Sequence, residues 1–215
     1  MNMKTTLKFC ILLIATSCMI TGCTKAQRPA TDENVTGKAD FSGKNVLIVY
    51  LSRTKNTKAI AEIIQKNVGG KLVSLELEKP YPENYRAIVD QVAKENSSGY
   101  LPPLKTKIDS LEKYDVIFLG FPTWGMQLPP PMKSFLSKHN LKGKTLIPFN
   151  TNAGYGIGST FQIVKDLAPS SKILEGFSTQ GGIERDGIYF VMEGEKEKQA
   201  NVEIQKWLRK IEIVK

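Results

Sequence analysis

The chain has 215 residues, a formal charge of +9, one histidine and three cysteines. That length suffices for one domain with a substantial core. With His139 alone and no cysteine beyond Cys23, the rest of the chain lacks the groups for zinc, haem or Cys–His nucleophilic chemistry, and for a disulfide.

Residues 1–22 read as an export leader. Lys4 and Lys8 give a positive start, and Phe9 to Ile20 is an uncharged, mostly apolar run of twelve residues. Such a run fits a signal-peptide core of about 7–15 residues and falls short of the ~20 that span a bilayer. Ile20-Thr21-Gly22-Cys23 resembles the bacterial lipoprotein box. The resemblance implies that Cys23 is lipidated, becomes the mature N-terminus and anchors the protein to a membrane of the cell envelope. No twin-arginine pair is present, so the expected route is export of the unfolded chain. Residues 23–43 are polar and aperiodic, a tether reaching on the order of 25 Å as a flexible coil. Loss of Lys4 and Lys8 with the leader lowers the +9 to +7. The remaining lysines are dispersed, which predicts a solvated basic surface beside an anionic membrane and no nucleic-acid partner.

Residues 44–215 form the predicted folded domain. "NVLIVYL" (45–51) is a continuous apolar, β-branched run, the pattern of a strand buried on both faces. A helix follows with Ile60, Ile63, Ile64 and Val68 on one face, closed by Gly69-Gly70. Residues 71–77 alternate as a strand nearer the edge, and 82–97 read as a helix with Tyr85, Ile88, Val89, Val92 and Ala93 inward. Residues 115–120 make a second buried strand. Prolines at 129–131 open a helix with Met132, Phe135 and Leu136 inward. Residues 145–150 make a third central strand, 159–168 a helix burying Phe161, Val164 and Leu167, and 172–179 a fifth strand. A last helix over 195–214 carries the stripe Ala200, Ile204, Trp207, Leu208 and Ile211. Five strands alternating with helices predict an α/β fold, a doubly wound parallel sheet with helices on both faces.

In such a sheet ligands bind beyond the carboxyl ends of the strands. Three loops leave the central strands there. The first, "SRTKNT" (52–57), sets the hydroxyls of Ser52, Thr54 and Thr57, the amide of Asn56 and the basic pair Arg53 and Lys55 at a helix start. Helix N-termini favour anions, and this loop holds more donors than capping requires. It matches neither the P-loop nor the dinucleotide fingerprint. The second loop, 121–131, contains Pro122, Thr123, Trp124 and Gly125. The third, 150–160, contains Asn150, Thr151, Asn152, Gly154, Tyr155 and Gly156.

Strand–"SRTKNT"–helix resembles the phosphate loop of the flavodoxin-like family, usually Ser/Thr-x-Thr-Gly-Asn-Thr; Ser52, Thr54, Asn56 and Thr57 match. "YLSRTKNT", "YPENY" (81–85) and "FPTWG" (121–125) extend the resemblance over the exported domain. It implies strand order 2-1-3-4-5 and an FMN cofactor with its phosphate on 52–57. Trp124 and Tyr155 would cover the flavin ring, Gly125 would allow close backbone approach, and the amides around Gly154 and Gly156 would meet the pyrimidine oxygens. The departure is Lys55, where the family commonly has glycine. A positive φ there would strain lysine by roughly 1–2 kcal/mol, whereas an ordinary backbone would simply add a cation beside a phosphate.

The resemblance implies electron transfer at the cell envelope, with no catalytic acid, base or nucleophile and a redox partner the sequence does not identify. Flavodoxins typically dock partners through acidic surfaces, and this basic domain is not expected to share that surface. Two alternatives stand beside it. One is an FMN-dependent NAD(P)H or quinone reductase, with 178–187 shaping a substrate pocket. The other is a binding lipoprotein that keeps the fold without the flavin, for which Lys55 is the main argument.

Overall fold

The structure, a computed structural model, describes residues 43–214. The leader, Cys23 and nearly all of the tether lie outside the described residues, as does Lys215.

The first strand, β1 (Val46–Tyr50), is buried throughout. Its residues divide by parity: Val46, Ile48 and Tyr50 enter one hydrophobic cluster, and Leu47 and Val49 the other. That division shows that both faces of β1 are covered. The strands β2 (Lys71–Ser74), β3 (Val116–Pro122), β4 (Thr145–Asn152) and β5 (Lys172–Ile173) follow, and all ladders are parallel in the order β2-β1-β3-β4-β5. The expected α/β architecture and the order 2-1-3-4-5 are borne out.

The fifth sheet position is split into β5 (Lys172–Ile173) and β6 (Phe177–Gln180), both paired with β4. A single strand over 172–179 was expected. The register explains the break. Leu146 faces Ile173 and Phe149 faces Phe177, so one residue more lies on the fifth position than on β4. Pro148 sits in that interval and has no N–H for the ladder, which favours a bulge. The Glu175 carbonyl released by the bulge accepts the Trp207 indole N–H at 2.9 Å.

Helices α1 (Asn56–Val68) and α5 (Gly194–Lys210) cover one face with Ile60, Ile64, Ile204 and Trp207. Helices α3 (Pro130–Lys138) and α4 (Thr160–Leu167) cover the other with Met132, Phe135 and Val164. Phe161 and Leu167, expected buried, are only half-buried at the rim of this cluster.

Helix α2 (Tyr85–Ser98) starts later than expected because the Asn84 side chain caps it, accepting from the Ala87 amide at 3.0 Å. Ile88 and Val92 are buried, but Tyr85 is 39 % and Val89 44 % exposed. The apolar stripe read as a core face is therefore wider than the face that packs.

Candidate functional site

The loops after β1, β3 and β4 meet beyond the carboxyl ends of those strands, as the topology requires. In the first loop the chain turns at Lys55, whose φ of 67° and ψ of −8° are left-handed. The position thus uses a conformation natural to glycine, and lysine holds it under strain. Helix α1 begins at the next residue, with no acidic residue in its first turn and no cap from the Lys55 side chain. Ser52 Oγ accepts the Lys58 amide at 3.2 Å, and the Ala59 amide donates to the Lys55 carbonyl at 2.9 Å. The amides of Thr54, Lys55, Asn56 and Thr57 meet no acceptor among the described residues. Four donors at the positive end of a thirteen-residue helix form a cradle for an anion.

The hydroxyls reinforce it. Thr57 Oγ1 and Thr151 Oγ1 lie 2.8 Å apart and buried, so one hydrogen joins them and a second remains to donate. Thr54 Oγ1 accepts from Asn56 Nδ2 at 2.8 Å, which leaves its own hydrogen free.

Asn56 does not act as expected of a phosphate donor. It is 2 % exposed, and its amide hydrogens go to Thr54 Oγ1 and to the Tyr189 carbonyl at 2.6 Å. Its oxygen accepts the Val191 amide at 3.0 Å. Every polar atom of this side chain holds the 182–191 segment to the first loop. Arg53 is likewise turned aside. Its Nε meets Glu184 Oε1 at 2.6 Å, Nη1 donates to the Pro82 carbonyl at 2.9 Å, and Nη2 donates to the Glu83 carbonyl.

The second loop turns through Gly125 (φ 58°) and Met126 (φ 59°), while Trp124 and Gln127 exchange backbone hydrogen bonds. Two successive positive φ values define a tight hairpin turn, which holds Trp124 at its rim. Trp124 is half-buried and meets Tyr81 edge-on, with centroids 5.5 Å apart at 84°. The Tyr81 hydroxyl donates to Glu95, a carboxylate only 6 % exposed that also accepts Gln91 Nε2 at 2.8 Å. Burial and the bond to Glu95 push the Tyr81 phenol well above its usual range. A buried carboxylate thus fixes the ring that supports Trp124.

In the third loop the expected donors are already engaged. Asn152 Oδ1 accepts the amides of Gly154 at 2.9 Å and Gly156 at 3.2 Å. Those amides close the loop on itself and are unavailable to a ligand in this geometry. Asn150, fully buried, donates to the Phe121 carbonyl and Thr123 Oγ1 and accepts from Ser178. It ties β3, β4 and β6 together and does not reach the cavity. Tyr155 is 63 % exposed at the cavity mouth.

The cavity these loops enclose measures about 150 Å³. Arg53, Thr54, Asn56 and Thr57 line it from the first loop, Pro122, Thr123 and Trp124 from the second, and Thr151, Asn152 and Tyr155 from the third. Ser52, Lys55, Gly125, Asn150, Gly154 and Gly156 do not line it. The expected cofactor-binding residues omitted Tyr85, Ala153 and the segment 181–185, which complete the wall; 178–187 was expected only as the wall of a reductase's substrate pocket. The dipeptide Gly181-Gly182 signalled that segment: a Cβ on Gly182 would lie 2.1 Å from the Tyr189 carbonyl oxygen, so only glycine lets the chain fold back there. A second cavity of about 410 Å³ shares Arg53, Tyr85, Thr123, Trp124 and Glu184 with the first and is walled on its far side by α2.

A family model described as flavodoxin matches residues 45–193. The chain belongs to the flavodoxin family. It is similar to a "putative flavoprotein" of Bacteroides eggerthii DSM 20697, at 28 % identity over 78 % of this chain and 97 % of that one, with a TM-score of 0.61. A second "putative flavoprotein", from Bacteroides uniformis ATCC 8492, is 26 % identical over 67 % of this chain and 95 % of its own, with a TM-score of 0.60. A Lactobacillus acidophilus NCFM flavoprotein, solved in complex with FMN, is 23 % identical over 64 % and 93 % of the two chains, with a TM-score of 0.54. That last likeness is one of fold. No curated protein matches this chain significantly. Within the flavodoxin fold, the anion cradle of this chain occupies the loop after the first strand, and the half-buried Trp124 the loop after the third.

Proposed function

We propose that this flavodoxin-family protein binds FMN and carries electrons at the cell envelope, anchored there by lipid on Cys23. The observation that carries the cofactor assignment is the cluster of four amides at 54–57 with no acceptor among the described residues, beside hydroxyl hydrogens of Thr54 and the Thr57–Thr151 pair. These donors fit a phosphate dianion. Trp124, Tyr155 and Tyr85 at the same cavity fit an aromatic ring. The FMN complex of the Lactobacillus acidophilus relative supports the same choice.

FMN, when bound, supplies the one- and two-electron chemistry. The chain's own part is to bind and orient. The α1 amides would hold the phosphate through charge-assisted bonds, and the Arg53–Glu184 pair would keep the first, 81–85 and 181–185 segments together around it. Trp124, braced by Tyr81 and Glu95, would present a fixed surface to the ring. The envelope location rests on the Ile20–Cys23 pattern.

Purified protein should show flavin absorption bands or acquire them with FMN, and should bind FMN more tightly than riboflavin. A colourless protein that neither flavin reconstitutes would refute the cofactor assignment. Cys23→Ala should move the protein from the membrane fraction to the soluble one; continued membrane association would refute the lipid anchor.

A further inference from the structure

We infer that the cleft between α2 and the second loop is a second binding site, sharing the wall of Trp124 and Tyr85 with the first cavity, for a flat, uncharged molecule bearing carbonyl acceptors, the chemistry of a quinone. Its redox meaning rests on the flavin assignment above, but its occupancy can be measured without flavin.

The cleft holds about 410 Å³, within the ~300–1,000 Å³ common for small-molecule sites. One wall is the stripe of α2 that fails to pack, with Val89 44 % exposed and Ala93 beside it; Tyr85 and Trp124 add aromatic surface, which favours a flat partner. Arg53 and Glu184 also border the cleft, but they neutralise each other at 2.6 Å, so it offers a ligand no unpaired charge of theirs. The Thr123 hydroxyl is spent between the Gly156 carbonyl and Asn150.

Of the remaining polar side chains, Ser97 spends its hydroxyl hydrogen on the Lys94 carbonyl at 3.0 Å and Tyr85 carries a rotatable phenol, while the amides of Asn96 and Gln127 are fixed from behind by Lys133. Lys133 Nζ lies 2.8 Å from Asn96 Oδ1 and 3.2 Å from Gln127 Oε1. An ammonium only donates, so it determines the orientation of both amides: oxygens toward Lys133, NH2 groups away from it. The Asn96 nitrogen faces the hairpin turn, 3.8 Å from where a Cβ on Gly125 would stand. Neither NH2 group has an acceptor among the described residues. Burial depresses the Lys133 pKa, in keeping with a site partly removed from water. A cleft with apolar walls and donors lacking acceptors selects a ligand whose polar atoms accept.

The test is calorimetric titration of the purified full-length protein, flavin-free and FMN-loaded, with 2-methyl-1,4-naphthoquinone. One saturable site is expected in both forms. 2-Methylnaphthalene, the same shape without carbonyls, should bind about tenfold or more weakly, the worth of one or two hydrogen bonds. Asn96→Asp with Gln127→Glu keeps the oxygens that Lys133 needs and removes the donors; it should weaken the naphthoquinone by at least about tenfold with a preserved thermal transition. Ala93→Phe, at an exposed helix position, should block the cleft. Equal binding of the two probes, or unchanged affinity in both variants, overturns the proposal. So does competition between the naphthoquinone and FMN, which would make the cleft part of the flavin's own seat. If FMN fails to bind while the naphthoquinone titrates as expected, the flavin assignment falls alone. If FMN binds and the naphthoquinone does not, the cleft proposal falls alone.

Discussion

Replacing Lys55 by glycine should stabilise the protein. Lys55 sits at φ 67°, where an L-residue costs roughly 1–2 kcal/mol. Glycine removes that strain but loses about 0.4–1 kcal/mol through the greater freedom of the unfolded chain. The lysine side chain is exposed, caps nothing and makes no ion pair among the described residues, so its removal sacrifices no other contact. The net gain is about 0–1.6 kcal/mol, centred on ~0.8, which at its centre is a rise in Tm of about 2–3 °C for a domain of this size. Lys55→Ala keeps the strained backbone and should melt within about 1 °C of the parent, below the glycine variant. The ammonium has a second role if the cradle holds a phosphate. Its exposed position limits its worth to under ~1 kcal/mol, so Lys55→Gly should weaken FMN by at most about fivefold in low salt and hardly at all near ~0.5 M. Riboflavin should be unaffected. Thermal melts and fluorescence titrations at two ionic strengths supply the data. A glycine variant less stable than the alanine one would refute the backbone argument; an FMN loss that persists in high salt would mean direct contact instead of a screened field.

Three further substitutions separate holding the ligand from holding the fold. Thr57→Val removes the hydroxyl paired with Thr151; it should weaken FMN about tenfold with riboflavin nearly unchanged, and equal loss of both would exclude a phosphate role. Asn56→Ala strands the Tyr189 carbonyl and the Val191 amide, so unfolding titrations should show a loss of about 2–4 kcal/mol and limited proteolysis should cut first within 182–191. Tyr81 is held protonated in the fold, so its stabilising contribution is full below pH ~10 and is lost as pH rises above that value. Tyr81→Phe should therefore be less stable at pH 8 yet show a shallower decline in alkali; parallel profiles would deny the buried hydroxyl its role.

The order and types of the elements were legible because burial writes its period into the chain. In β1 five apolar residues in succession announce a strand covered on both faces, and alternate residues do enter opposite clusters. The break in the fifth position was half-legible. Pro148 marks a missing ladder donor on β4, but the effect appears on the neighbouring strand, and only the register connects the two. Tyr85 and Val89 on α2 show where periodicity stops being informative. A helix face against a core and one lining a cleft share the 3.6-residue repeat, and exposure separates them only once the neighbours are in place.

At the candidate site, position was legible and contact was not. Topology brings the ends of β1, β3 and β4 together whatever their side chains are, so the loops were found by counting strands. Whether an asparagine there serves a ligand or another loop depends on partners far away in sequence: Asn56 on 189 and 191, Asn150 on 121 and 178. Loops at strand ends lack ladder partners, and the cheapest way to hold several at fixed separation is to spend side-chain amides on the backbone of the next loop. The donors left without an acceptor among the described residues are the backbone amides of 54–57 and the hydroxyl hydrogens of Thr54 and of the Thr57–Thr151 pair. Recognition of an anion then depends on the path of the chain through Lys55 more than on the side chains of Arg53 and Asn56, which are engaged elsewhere.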